Sequence, residues 1–165
     1  MAFTGMGLAL GSMTSAESPT SFLHLVVGYD GSPPASRALD GAVRLLQGRT
    51  GSIDVVYVAH LSSLIMLSAD AIAEMEQDFS EVEQELRAQA AKELQGRVEA
   101  WGFQRRQGMI PEELIAEATG LQEAGAPGTV VVIVVGSSSH ASHRVVGSVA
   151  VSLARHSPVP VVIVP

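Results

Sequence analysis

The residues best suited to chemistry in this chain lie between Gly136 and Val149. Gly136 ends an unbroken apolar run that begins at Val130, serines follow at Ser137, Ser138 and Ser139, and a helical pattern reopens at Gly147-Ser148. Glycine permits a sharp turn and close approach of a ligand, serines offer hydroxyls and unengaged N–H groups, and Gly147-Ser148 would present a helix amino terminus. Such a set suits the oxygens of a di- or triphosphate. The same residues would equally make an ordinary strand-to-helix turn with Ser148 as a cap. His140, His143 and Arg144 add local positive charge beside this loop.

A second cluster, Asp30-Gly31-Ser32, closes the apolar run 22–29. Asp30 can contact a ribose, a base or a phosphate-bound Mg²⁺, or it can form an Asx turn with Ser32. Other chemistries are poorly served. Lys92 is the single lysine, so no Gly-Lys-Ser/Thr phosphate loop exists, and the glycines of 5–11 are misspaced for a dinucleotide fingerprint and follow no strand. No Gly-x-Ser-x-Gly elbow is present, and no side chain stands out as a general base, so no catalytic residue is assigned. His24, His60 and His156 are scattered and cysteine is absent, so no metal site is assigned either.

These clusters need elements to hold them. Apolar β-branched runs at 22–29, 52–59, 130–135 and 159–164 read as strands. Prolines 33 and 34 behind Ser32 suit the first turn of a helix running to Gly48. Met75, Phe79, Val82, Leu86, Ala90, Leu94 and Val98 recur every three or four residues, which predicts one long helix over 69–100. Its acidic residues gather early and its basic ones late, in accord with the helix dipole. The polar stretch 101–108 is expected to be a short edge strand, followed by a helix that Pro111 opens and that ends near Gly125. A last helix spans about 147–156. Strands separated by helices imply parallel pairing with helices on both faces, and ligands then sit beyond the carboxyl ends of strands where the strand order reverses. The ends at Asp30 and Gly136 are the natural walls of one crevice.

With 165 residues, 47% of them apolar and 16% charged, the chain can bury a sizeable core. Ten basic against 17 acidic residues give a formal net charge of −7, the wrong sign for binding nucleic acid or an anionic membrane. No apolar run is long enough to span a bilayer. Residues 1–21 are expected to form a disordered tail, because they lack the positive flank of a signal peptide, and 22–165 a single domain in the cytoplasm.

From about Phe22 to Pro165 the chain resembles the universal stress protein family. The resemblance rests on LVVGYDGSPPASRALDGAVRL, on GMIPEELIAEA and above all on VVIVVGSSSHASHRVVGSVAVSLARHSPVPVVIVP. It implies an open α/β fold of Rossmann-like, adenine nucleotide alpha hydrolase-like type: a five-stranded parallel sheet in the order 3-2-1-4-5. It also implies a homodimer joined through the C-terminal strand, and a stress-response sensor or adaptor that binds ATP with Mg²⁺. ATP-binding members carry Gly, two residues, Gly, nine residues, Gly, then Ser or Thr. Here Gly136 and Gly147-Ser148 match the ends, Ser139 replaces the second glycine, and seven residues, His140 to Val146, stand in place of nine. By this resemblance Asp30 and Val58 line the adenosine end, and Gly136, Ser138, Ser139, Gly147, Ser148 and Val149 hold ribose and phosphates. His140 and Arg144 are added as phosphate contacts on charge alone. The shortened loop leaves open a dimeric interaction module that binds no nucleotide, and, less favoured, a slow ATPase.

Overall fold

In the computed structural model the described residues are 21–59, 69–137 and 147–165, with only the backbone of 69–73 included. The expected tail therefore lies outside them, apart from Ser21. Nine elements follow in strict alternation: β1 Leu23–Gly28, α1 Pro33–Leu46, β2 Gly51–Ala59, α2 Ala69–Leu94, β3 Trp101–Gln107, α3 Ile110–Ala124, β4 Val130–Gly136, α4 Ser148–His156 and β5 Val161–Val164. Ser32 caps α1, its hydroxyl oxygen accepting the Ala35 N–H at 3.4 Å, and prolines 33 and 34 fill positions whose N–H groups would have no helical partner. Among the described residues no helix is long and apolar enough to cross a membrane.

All pairings are parallel and the sheet order is β3-β2-β1-β4-β5. Period-two alternation sends successive side chains to opposite faces. Leu25, Val27, Ile53, Val55 and Val134 pack with the inner faces of α1 and α2, while Val26, Val56, Val58, Val131, Ile133 and Val135 pack with α3 and α4. The central strands are thus buried on both sides, which is why they read as continuous apolar runs. Only the first residue of β4, Val130, is well exposed, at 41%.

Three elements differ from their expected form. Helix α2 stops at Leu94 rather than near residue 100, because Gly96 adopts φ +70 and turns the chain toward β3. Its apolar stripe is buried only in the carboxyl half, at Leu86, Ala90 and Leu94, whereas Val82 is exposed. The amino half instead holds β3 through ions: Arg105 binds Glu76 at 2.9 Å and lies over the Phe79 ring, and Gln107 donates to Glu76 at 2.8 Å. On the other face Arg106 pairs with Glu113 and with Glu117, which is 9% exposed. The polar character of β3 is therefore that of an edge strand tied to both neighbouring helices by charge, and at seven residues it is as long as β4. Finally, β5 begins at Val161, not Val159, since Pro160 has no N–H to enter the ladder, although its carbonyl accepts the Ile133 N–H at 3.0 Å.

At the amino end of the sheet, Asp54 faces His24, Ser52 and, across on α3, Glu117. Burial pushes its carboxyl up from the ordinary range and Glu117 adds to this, while His24 opposes it. A raised folded-state value means that ionisation penalises the folded protein. This contribution to stability is fully present below the unfolded value of about 3.9 and is lost as pH rises through the folded value. We expect Asp54→Asn to match wild type in urea unfolding at about pH 3 and to exceed it at about pH 7. Lower stability of the variant at neutral pH would contradict this assignment.

Candidate functional site

The order of strands places β1 and β4 side by side, and the chain leaves them in opposite directions, toward β2 and toward β5. Loops from two such strands part from one another and leave a crevice between them. It has a volume of about 380 Å³. Gly28, Tyr29, Asp30 and Ser32 form one wall, Val135 and Gly136 with the start of α4 the other, and Val56, Tyr57 and Val58 close the end over β2. Six of the residues singled out in the sequence, Asp30, Val58, Gly136, Gly147, Ser148 and Val149, come together here. Ser138, Ser139, His140 and Arg144 lie outside the described residues.

The Asx turn expected of Asp30 is present. Its Oδ1 accepts the Ser32 N–H at 3.0 Å and the Ser32 hydroxyl at 2.5 Å. Asp30 lines the crevice, and among the described residues its Oδ2 has no partner, which leaves one carboxylate oxygen able to accept.

Gly136 has a packing role that the sequence does not reveal. A Cβ on it would fall 2.2 Å from the Pro34 carbonyl oxygen, so glycine is required for the end of β4 to pass the first turn of α1.

The two helices that open on the crevice differ in their amino ends. Helix α1 is satisfied internally by Ser32 and its prolines. Helix α4 begins after Gly147, with no side-chain cap among the described residues, and its first helical bond is that of the Val151 N–H to the Gly147 carbonyl at 3.0 Å. The N–H groups of Ser148, Val149 and Ala150 therefore lack helical acceptors and lie at the crevice with the positive end of the helix dipole. Among the described lining residues the one charged side chain is Asp30. The arrangement offers donors for an anion at one end, an acceptor at the other and apolar surface between.

None of the sequence motifs marks that apolar surface. Ile110 and Leu114 of α3 form it with Val56 and Val58. They lie four residues apart on either side of Pro111 and so share one face of the helix, but only the sheet order shows that this face reaches the crevice. A second depression, of about 590 Å³, lies at the opposite end of the sheet between Phe22, Arg49 and Arg97, and gathers none of the candidate residues. Among the described residues no group of three or more His, Cys, Asp or Glu side chains is placed to hold a metal ion.

A parallel sheet with helices on both faces and a crevice at its switch point defines a doubly wound α/β protein. This chain belongs to the universal stress protein family, whose sequence profile matches residues 21–165. No curated protein gives a significant sequence match. Solved structures share the fold. The universal stress protein UspA from Lactobacillus plantarum is 20% identical with a TM-score of 0.70, over 88% of this chain and 99% of its own. A universal stress protein in complex with cAMP is 22% identical with a TM-score of 0.59, over 87% and 97%. An Arabidopsis thaliana family member with AMP bound is 14% identical with a TM-score of 0.58, over 86% and 90%.

Proposed function

We propose that this universal stress protein binds an adenine nucleotide in the crevice between β1 and β4, with ATP as the ligand, and acts as a cytoplasmic stress-response sensor or adaptor. One observation carries the reading: the amino terminus of α4, with no side-chain cap among the described residues, and Asp30, with an oxygen left unpartnered among them, line the same crevice. In this reading Ser148 and Val149 donate backbone N–H groups to phosphate, with Gly136 and Gly147 leaving room for it. Asp30 accepts a ribose hydroxyl, and Val58 meets the base with its backbone while Ile110 and Leu114 supply apolar contact. Ser138, Ser139, His140 and Arg144 belong to the phosphate end by sequence. Two structural neighbours, one in complex with cAMP and one with AMP bound, support the adenine class. Because no described lining side chain is cationic, the charge of a triphosphate calls for Mg²⁺ alongside it.

Equilibrium dialysis of the purified protein against labelled ATP with Mg²⁺ tests this. Saturable retention of about one nucleotide per crevice is expected. Absence of retention would favour the alternative, an interaction module without nucleotide.

That alternative and the first reading share a homodimer through β5. In its support, Val161, Val162, Ile163 and Val164 are all half-buried, and β5 pairs with β4 on one edge only. Sedimentation at micromolar concentration should give a dimer, and a lysine at Val162 should shift it to monomer; a wild-type monomer would contradict the assignment.

A further inference from the structure

The wall of the crevice that carries Asp30 is held from behind by α2. We propose that Glu93 is a positioning residue for the adenine nucleotide, a latch through which occupancy of the crevice and the seating of α2 are coupled. The proposal rests on the nucleotide reading above.

One carboxylate oxygen makes the latch. Glu93 Oε1 accepts the Tyr29 hydroxyl at 2.9 Å and the Ser36 hydroxyl at 3.0 Å. Tyr29 immediately precedes Asp30 and is 3% exposed, and Ser36 lies in the first turn of α1, four residues beyond Ser32. Glu93 thus fastens the chain on both sides of the turn that aims Asp30 into the crevice. Bonds to an ionised carboxylate are about twice as strong as neutral ones.

The same stripe of α2 grips the turn between these two points. The Gln89 side-chain amide donates to the Gly31 carbonyl at 3.5 Å. Leu86 packs so closely that a Cβ on Gly31 would fall 2.6 Å from its Cδ2. Leu86, Gln89 and Glu93 follow at spacings of three and four, one face of the helix. Just beyond the helix end, Arg97 binds Asp40 of α1 at 2.6 Å.

Coupling follows from the cost of separating these groups. If α2 moves away, the buried Tyr29 hydroxyl loses its acceptor, and an unsatisfied buried hydroxyl is unfavourable. The turn and the helix therefore shift together or not at all. Linkage is reciprocal, so a nucleotide that orders the Asp30 turn also orders α2. The outer face of α2 bears exposed Glu74, Asp78, Glu81 and Glu85, so the ordering reaches the protein surface.

The test titrates ATP with Mg²⁺ against the full chain as wild type, Glu93→Ala and Glu93→Gln, and follows amide hydrogen exchange across 86–94. Glutamine keeps an acceptor for both hydroxyls and alanine keeps none. Glu93→Ala is expected to weaken ATP binding about tenfold and Glu93→Gln by less than about threefold. ATP should slow exchange in α2 of wild type but not of Glu93→Ala. A purely structural role would lower thermal stability yet leave the affinity and the ligand-dependent protection intact, and that result overturns the latch alone. Should Glu93→Ala fail to fold, the Tyr29→Phe, Ser36→Ala double variant removes both donors and should show the same loss; wild-type affinity in it overturns the latch. Wild-type protein that binds no ATP overturns the nucleotide reading and the latch with it.

Discussion

Gly136→Ala is expected to destabilise the fold by about 3 kcal/mol, lowering the thermal midpoint by on the order of 10 °C. The added Cβ would meet the Pro34 carbonyl oxygen at 2.2 Å and its carbonyl carbon at 2.5 Å. Both are backbone atoms, so no side chain can rotate to give way. Pro34 sits in the first turn of α1, where its ring fixes φ. Either β4 or α1 must then move, and each carries buried residues on which the core depends, among them Ile133, Val134, Ala38 and Leu39. Urea unfolding of the variant measures the effect. A loss below about 1 kcal/mol would mean that the two elements slide past each other freely, against the close packing of protein interiors.

Gly147→Glu should have the opposite profile, with binding lost and folding kept. Gly147 has φ −60 and ψ 157, extended geometry open to any L residue, so the substitution imposes no backbone strain. It places a carboxylate at the amino terminus of α4, where a negative charge is favourable to the helix and competes with a ligand phosphate for the free N–H groups. ATP affinity is expected to fall by at least about a hundredfold, while urea unfolding remains within about 1 kcal/mol of wild type. Wild-type affinity in a folded Gly147→Glu protein would remove phosphate from this helix end.

The contrast between the two glycines shows what a sequence reveals and what it conceals. The Val130 run, the prolines behind Ser32 and the Asp30-Ser32 turn are set by local chemistry, and each has its expected form. The role of Gly136 toward Pro34 depends on a contact between residues about a hundred positions apart, which no local pattern encodes. The same is true of Ile110 and Leu114: Pro111 marks the start of a helix, but the place of these two side chains in the crevice requires the sheet order. The strand order itself followed from family resemblance rather than from periodicity. Val98 continues the apolar spacing of α2 and packs against the core, but from the turn after Gly96 rather than from the helix, so spacing alone extends the helix past its end at Leu94. The loop residues Ser138, Ser139, His140 and Arg144 lie outside the described residues, so their part in the site rests on sequence alone.

The reading of the crevice as a nucleotide site is most directly tested by calorimetric titration of wild-type protein with ATP and Mg²⁺, run beside Gly147→Glu. Saturable binding to the wild type, abolished in the folded variant, is the expected result. Equal heats in the two proteins, or none in the wild type, would contradict it.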